Sequence, residues 1–121
     1  MKTIFLIDDS VTMVMSLKSA LELSGFKVET ANDGEQAMAK LKMGFKPNLI
    51  ITDINMPRMN GIEFIRNARL MLRFTPILVL STESQAVRRD EAKKLGATGW
   101  LVKPVASVEL LKVIKQVLPG A

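Results

Sequence analysis

The sequence predicts an α/β fold in which helices cover both faces of a parallel sheet. Short runs of apolar and β-branched residues alternate along the 121 residues with longer segments whose apolar residues recur every three or four positions. Five such strand-helix units can be recognised. The length suits a single domain, so residues 1–121 are expected to form one domain with no output domain attached.

The first two units are bounded by turn and capping residues. A strand over Thr3–Ile7 leads to a helix that ends near Ser24, where Gly25 supplies the stop. A short strand over 27–30 then precedes a helix that Asp33 is expected to cap. In both helices the apolar residues are spaced to form one buried face.

The third unit contains four apolar or β-branched residues in a row, Leu49–Thr52, which indicate a strand buried on both faces. Asn60 is expected to cap the helix that follows, with Glu63 at the capping-box position.

The fourth unit consists of a strand over 77–80 and a helix over roughly 84–95. That helix has few apolar residues, mainly Val87, Ala92 and Leu95, and is therefore expected to be the least firmly docked. In the fifth unit, Gly99–Val102 forms the last strand and Ser107 is expected to cap the final helix.

The composition limits the chemistry. The absence of cysteine excludes disulfides and thiolate catalysis, and the absence of histidine removes the commonest metal ligand and general base. Any bound metal must therefore be a hard cation held by oxygen. No apolar run approaches the ~20 residues of a membrane span, and the apolar N-terminal run is too short for a signal peptide, so a soluble protein is expected.

The formal net charge of +5 raises the question of nucleic-acid binding. No aromatic ladder or recognition-helix motif accompanies it, and solvated helix faces are the favoured explanation. The phenylalanines are expected mostly in strands or on inner helix faces, and the methionines in the core. A basic group on the last two helices would suit an acidic docking segment on a partner protein. It comprises Arg88, Arg89, Lys93, Lys94 and Lys112.

Polar side chains follow the predicted strands. They are Asp8 and Asp9, Asp53 with Asn55, Ser81 with Thr82, and Lys103. Parallel strands end at one edge of a sheet, where α/β proteins bind ligands, so these residues are expected to converge. Each also has a structural explanation, since an Asp after a strand commonly forms a turn or caps a helix, and a Lys there usually lies in solvent.

Three neighbouring carboxylates require a cation, since each pair repels by about 4 kcal/mol at ~4 Å and an effective dielectric of ~20. Oxygen ligands alone indicate Mg²⁺, which leaves room for water and a phosphate oxygen. A lysine and a hydroxyl opposite the cation would complete a phosphoryl-binding pocket, in which an aspartate can act as nucleophile.

The combination of these motifs resembles the response-regulator receiver domain, especially single-domain, CheY-like chemotaxis regulators. The motifs are Asp8-Asp9, the run from Asp53 to Gly61, Ser81-Thr82 and Lys103-Pro104. The resemblance covers the whole chain and implies a flavodoxin-like (βα)5 sheet with strand order 2-1-3-4-5.

The resemblance also implies roles for individual residues. Asp53 would be the phosphoacceptor, and Asp9 and Asp53 would ligate Mg²⁺ with the backbone carbonyl of Asn55, while Asp8 would position the ion mainly through water. Lys103, in a cis peptide with Pro104, would pair with the phosphoryl group.

Four further positions would control switching and hydrolysis. Ser81 and Trp100 would form the switch, and Asn55 and Glu83 would tune hydrolysis. Two residues depart from the family: Val105 stands where Phe is usual, and Trp100 is larger than the usual Tyr or Phe and lacks a hydroxyl.

The function implied is a cytoplasmic switch rather than a turnover enzyme. A CheA-like histidine kinase or an acyl phosphate would phosphorylate Asp53, and a protein such as a flagellar motor switch component would read the face of the fourth helix, fifth strand and fifth helix. A phosphatase is a further expected partner, whereas nucleic acid is not.

Three alternatives remain open. A phosphorelay intermediate or phosphate sink would share the fold and the chemistry. A Mg²⁺-dependent aspartate phosphatase would need an acid at position 10, which Ser10 occupies. A flavodoxin would need a glycine- and hydroxyl-rich phosphate loop after the first strand, where this chain has two aspartates and no glycine.

Overall fold

A computed structural model describes residues 1–82 and 85–118, in which five strands alternate with five helices. The strands are β1 (Thr3–Ile7), β2 (Lys27–Ala31), β3 (Leu49–Thr52), β4 (Ile77–Ser81) and β5 (Gly99–Val102). The helices are α1 (Val11–Leu23), α2 (Gly34–Lys42), α3 (Gly61–Met71), α4 (Ala86–Lys94) and α5 (Ser107–Val117).

The strands form one parallel sheet in the order β2-β1-β3-β4-β5, which confirms the predicted topology. Their carboxyl ends are aligned, since Ile7 at the end of β1 is opposite both Ala31 of β2 and Thr52 of β3. On the far side, Ser81 of β4 is opposite Val102 of β5. The residues that follow these strands therefore emerge at one edge of the sheet.

Each face of the sheet has its own core. Phe5, Ile50 and Val79 point to the face covered by α2, α3 and α4. Their neighbours Leu6, Ile51 and Leu80 point to the face covered by α1 and α5. This alternation explains why β3 is apolar throughout, as the sequence predicted: both of its faces are buried.

The predicted caps are confirmed for two helices and wrong for one. Asp33 accepts a hydrogen bond from the backbone N–H of Gln36 at the start of α2, and Asn60 accepts one from Glu63 at the start of α3. Ser107 does not cap α5. It is the first helical residue, and the cap position is held by Ala106, which has no side-chain acceptor.

Helix α4 is the least embedded helix, as predicted, since Ala92 is its one fully buried residue. Val87, one of the few apolar residues of this helix, is 77% exposed. At about 100° per residue, Val87 lies roughly 140° around the helix from Ala92. Leu95 packs partly against the core, whereas the predicted start at Ser84 falls outside the described residues.

Several large apolar side chains expected in the core lie on the surface instead. Phe74 is 92% exposed and Met43 is 87% exposed, and Met1, Met15 and Met71 are exposed as well. Met43 and Phe74 follow the last turns of α2 and α3, where the chain leaves the sheet face that would bury them. Within the described part of the chain, no helix is long and apolar enough to cross a membrane.

Candidate functional site

Three strands deliver charged residues to the same edge of the sheet. Asp8 follows β1, Asp53 follows β3 and Lys103 follows β5. Their backbones remain tied to neighbouring strands, because the N–H of Asp8 donates to Ala31 O at 3.2 Å, that of Asp53 to Ile7 O at 3.0 Å and that of Lys103 to Ser81 O at 2.8 Å. The sheet therefore fixes where each side chain starts.

Lys103 lies between two buried carboxylates. Its Nζ is 2.7 Å from Asp8 Oδ2 and 2.9 Å from Asp53 Oδ2, and only 12% of its side chain is exposed. Burial by itself lowers the pKa of Lys103. The hydrogen bonds and charges of Asp8 and Asp53 outweigh burial and raise the pKa above its ordinary value. The ammonium therefore remains charged and joins β1, β3 and β5.

The second oxygen of each buried carboxylate is held by the backbone. Asp8 Oδ1 accepts from the N–H of Ser10 at 2.9 Å, and Asp53 Oδ1 accepts from the N–H groups of Ile54 at 2.6 Å and Asn55 at 3.3 Å. Both carboxylates are thus oriented before any ligand binds, with one oxygen on the backbone and one on Lys103.

Asp9 adds a third, exposed carboxylate to the group. One oxygen each from Asp8, Asp9 and Asp53 lies within 4.8 Å of the others. Three carboxylates and one ammonium leave two excess negative charges, which one divalent cation would balance. The donors are all oxygen, and Asp9 opens the group to water, so the residues fit a hard cation that keeps part of its hydration shell.

The remaining predicted residues lie around this group. Asn55 is exposed and contributes its N–H to Asp53, whereas Ser81 is fully buried at the end of β4, next to β3 in the sheet. Thr82 is exposed. Glu83, expected to tune hydrolysis, falls outside the described residues. The Lys103–Pro104 peptide is cis, as expected.

Trp100 lies on β5 opposite Val79 and is partly buried against the core beneath α4. It lines a cavity of about 340 Å³ between β5 and α4, together with Arg89 and Lys93 of that helix. The structure thus places the expected aromatic switch residue beside α4, the helix with the fewest buried residues.

An ion pair that the sequence did not predict fastens the loop after Asp53. Arg58 Nη1 is 2.6 Å from Asp33 Oδ2, and Arg58 has a positive φ of 65°. The backbone N–H of Gln36 lowers the pKa of Asp33 most strongly, burial opposes that effect, and Arg58 adds to the lowering. Arg58 and Asp33 are 25 residues apart, and the sequence indicated only the capping role of Asp33.

Two glycines allow this loop to approach its neighbours. A Cβ on Gly61 would collide with the backbone carbonyl of Asp53, while the N–H of Gly61 donates to Ile54 O at 2.9 Å. A Cβ on Gly34 would meet the carbonyl of Met59, which instead accepts from the N–H of Gly34 at 3.1 Å. The loop is therefore closed on itself and attached to the start of α2.

Comparison with known proteins relates the whole chain to one family. The sequence profile of the response regulator receiver domain matches residues 4–115. The chain is 36% identical over 118 residues to the transcriptional regulatory protein CpxR homologue of Haemophilus influenzae, and 34% identical over 117 residues to the alkaline phosphatase synthesis transcriptional regulatory protein PhoP of Bacillus subtilis. These alignments cover 98% and 97% of this chain but 51% and 48% of those proteins. The chain therefore spans about half the length of these curated relatives.

Two solved structures match over nearly their full length. Chemotaxis protein CheY4 of Vibrio cholerae is 42% identical with a TM-score of 0.92, and the alignment covers 98% of this chain and 99% of that one. Response regulator TrrA of Thermotoga maritima, in complex with Mg²⁺-BeF, is 31% identical with a TM-score of 0.87, covering 98% and 100%. With its matching profile, its relatives and its 2-1-3-4-5 sheet, this chain belongs to the response regulator receiver domain family.

Proposed function

We propose that the chain is a phosphorylation switch in which Asp53 accepts the phosphoryl group. The observation that carries this proposal is the arrangement of Asp53, which is buried, oriented by two backbone N–H groups and held at 2.9 Å by Lys103. One carboxylate oxygen of Asp53 also lies within 4.8 Å of an oxygen of Asp8 and of Asp9. A carboxylate held in this way can act as a nucleophile.

In the proposed reaction, a carboxylate oxygen of Asp53 forms a bond to the phosphorus of the donor. The bond between phosphorus and the donor's histidine nitrogen or acyl oxygen breaks, and the electron pair leaves with the donor. The product is an aspartyl phosphate. The excess of carboxylate charge disfavours an approaching phosphoryl group, so the step requires a counter-charge at the carboxylate group.

We assign that counter-charge to Mg²⁺ held by Asp8, Asp9, Asp53 and the backbone carbonyl of Asn55, with Asp8 acting mainly through water. When bound, Mg²⁺ neutralises the charge that develops on the transferring phosphoryl oxygens. The chain's own part is to supply the oxygen ligands, to keep Asp53 oriented through the Ile54 and Asn55 N–H groups, and to provide the ammonium of Lys103.

The switching step is proposed to follow the new charge on Asp53. In the unphosphorylated chain, Lys103 donates to both Asp8 and Asp53. A phosphoryl oxygen on Asp53 is a stronger acceptor, so the Nζ of Lys103 would move toward it. The hydroxyl of Ser81 would turn toward the phosphoryl group from the end of β4. Trp100 and α4 would respond through β5, and Asn55 and Glu83 would set the rate of hydrolysis.

The proposed output is protein binding in chemotaxis, with a CheA-like histidine kinase as donor, a flagellar motor switch protein as target and a phosphatase to end the signal. The whole-length similarity to CheY4 of Vibrio cholerae supports this assignment. Within this proposal the domain is cytoplasmic, acts without nucleic-acid contact and is not a turnover enzyme. A phosphorelay intermediate or phosphate sink would use the same site with different partners.

The curated relatives favour a second candidate output. They are named transcriptional regulatory proteins and are about twice as long as this chain, so a receiver that controls transcription is the alternative to the chemotaxis switch. Pull-down with an acyl phosphate and Mg²⁺ separates the two outputs. Recovery of a flagellar switch component supports chemotaxis, and return of the phosphoryl group to a histidine protein supports a relay. Recovery of proteins of the transcription machinery, without either of these results, supports control of transcription.

The phosphoryl assignment is tested by incubating the chain with acyl phosphate and Mg²⁺ and measuring intact mass. We expect the mass of one phosphoryl group to be added and then to be lost in acid. Chelation of Mg²⁺ before the donor is added should prevent the addition. Asp53→Asn should abolish the addition, while Asp90→Asn, on α4, should not. Full phosphorylation of the Asp53→Asn variant would reject the assignment.

A further inference from the structure

A second surface lies at the end of the molecule opposite the Asp53 site. The helices run back along the parallel strands, so the carboxyl ends of α2 and α3 lie beside the amino ends of β3 and β4. Between them runs an open groove of about 410 Å³. One wall is formed by Lys46, Pro47 and Asn48, and the other by residues 71–76.

Two exposed apolar side chains line this groove, and two more lie within three residues of its lining along the chain. Phe74 is 92% exposed, Leu70 81% and Met71 45%, and Met43 is exposed at the end of α2. Phe74 and Met71 line the groove itself, and the guanidinium of Arg73 lies 5.9 Å from the centre of the Phe74 ring. A cluster of large apolar side chains on the surface is typical of an interaction site.

The lining of the groove contains the basic residues Lys46 and Arg73 and no acidic residue. The segments 36–52 and 64–82 contain six basic residues and no acidic residue. Lys40 pairs with Glu29, and Arg69 is committed to backbone carbonyls. The other four have no carboxylate within 4.0 Å in the described parts of the chain. These four exposed residues are Lys42, Lys46, Arg66 and Arg73.

The groove is preformed, because both of its walls are anchored. Arg69 donates to the carbonyls of Leu72 at 2.8 Å, Thr75 at 2.7 Å and Gly96 at 2.7 Å, which fixes the connection between α3 and β4. On the other wall, the side chain of Asn48 accepts from the N–H of Thr3 at 2.8 Å, and its own N–H donates to Thr3 O at 2.9 Å. A partner would therefore not have to order this surface on binding.

We propose that this groove, lined by Lys46–Asn48 and residues 71–76, binds an acidic segment of a partner protein. The segment would place a large apolar side chain between the walls, against Met71 and Phe74, and its carboxylates against Lys46 and Arg73. Charge complementarity selects the acidic segment. The two-walled shape suits an inserted side chain better than a flat lipid surface.

This binding is independent of the proposed phosphorylation. The groove lies at the amino ends of the strands, and Asp53, Lys103 and Trp100 do not contribute to its lining. It is also separate from the basic residues of α4 and α5. A partner held here would leave the Asp53 site open to its donor, so the surface suits an anchoring contact that persists in both states of the switch.

The test is selection of peptides from a random phage-displayed library on the full chain, followed by affinity measurement with the enriched peptides by fluorescence polarisation. We expect peptides in which Asp and Glu flank Leu, Phe or Trp. Lys46→Glu and Arg73→Glu should each weaken binding roughly tenfold or more, since each turns an attraction into a repulsion. Lys94→Glu, an exposed reversal on α4, and Asp53→Asn should leave the affinity unchanged.

Phe74→Ser provides a second variant that keeps every charge. Since Phe74 is 92% exposed, the variant should remain folded, which circular dichroism checks. It should also weaken binding. The proposal is overturned if no peptide is enriched, if enriched peptides lack acidic residues, or if charge reversal at Lys46 and Arg73 has no effect. Sedimentation with phosphatidylglycerol and phosphatidylethanolamine vesicles that depends on Arg73, without peptide binding, would assign the surface to a membrane instead.

Discussion

Asp33 shows how a single buried carboxylate connects two parts of this molecule. One oxygen caps α2 through the N–H of Gln36 at 2.8 Å, and the other binds Arg58 at 2.6 Å. Since Arg58 follows Asp53 in the same loop, Asp33 links the start of α2 to the segment that positions the proposed phosphoacceptor. The fold therefore favours the charged form of Asp33, whose pKa is lowered from 3.8.

Asp33→Asn should keep the cap but remove the charge. At pH 7 we expect the free energy of unfolding to fall by about 1 kcal/mol, at the low end for a charged hydrogen bond because Arg58 is largely exposed. The stabilisation exists above the ordinary pKa and is lost as the pH falls through the lowered folded value. Urea unfolding should therefore show the difference shrinking below about pH 3.8.

Glu35→Gln is the matched control, since Glu35 is an exposed acid in the same helical turn. A difference between wild type and Asp33→Asn that stays constant across the acid range would show that the ionised form of Asp33 does not stabilise the fold.

At the residue scale, the sequence alone was sufficient to predict that the charged residues at the strand ends lie together. Asp8, Asp53 and Lys103 each follow a short apolar run directly, and parallel strands bring such positions together whatever the loops do. Arg58 could not be found in this way. Its ion pair depends on the positive φ of a loop residue, which no local pattern specifies.

At the scale of elements, helix caps decide which helix ends are stabilised by side chains. Asn60→Ala should lower the free energy of unfolding by about 1 kcal/mol, because the N–H of Glu63 loses its acceptor. Ser107→Ala should cost far less, since Ser107 follows the cap position of α5 and makes no capping bond. Equilibrium urea unfolding of the two variants measures both values. An equal loss in the two variants would contradict the structure.

The elements differ in how well the sequence predicts them. Strands and helices with an uninterrupted apolar pattern were found with boundaries within a residue or two, because burial dictates their composition. The prediction of Ser107 as a cap was wrong because a shift of one residue changes which side chain caps a helix. For a helix with as few apolar residues as α4, the sequence pattern only weakly indicates which side of the helix faces the core.

At the scale of the whole molecule, we propose that Lys103 and β5 connect the Asp53 site to α4. Trp100 is the only tryptophan, so its fluorescence reports this connection. Lys103→Ala should still permit phosphorylation of Asp53 but should abolish the fluorescence change that an acyl phosphate with Mg²⁺ produces in the wild type. Lys112→Ala, which changes an exposed lysine on α5, is the control. An undiminished change in the Lys103→Ala variant would contradict this coupling.

The two ends of the molecule carry charged side chains of opposite sign. Three carboxylates gather at the carboxyl edge of the sheet, and a basic groove with exposed apolar side chains lies at the amino edge. Under the two proposals, a phosphoryl group is exchanged at one end while a partner remains bound at the other.

The most direct measurement is to locate the phosphoryl group itself. The chain is treated with acyl phosphate and Mg²⁺, the acyl-phosphate bond is reduced with borohydride, and the digest is sequenced by mass spectrometry. We predict homoserine at position 53 and unmodified aspartate at positions 8 and 9. Homoserine at position 8 or 9, with Asp53 intact, would contradict it.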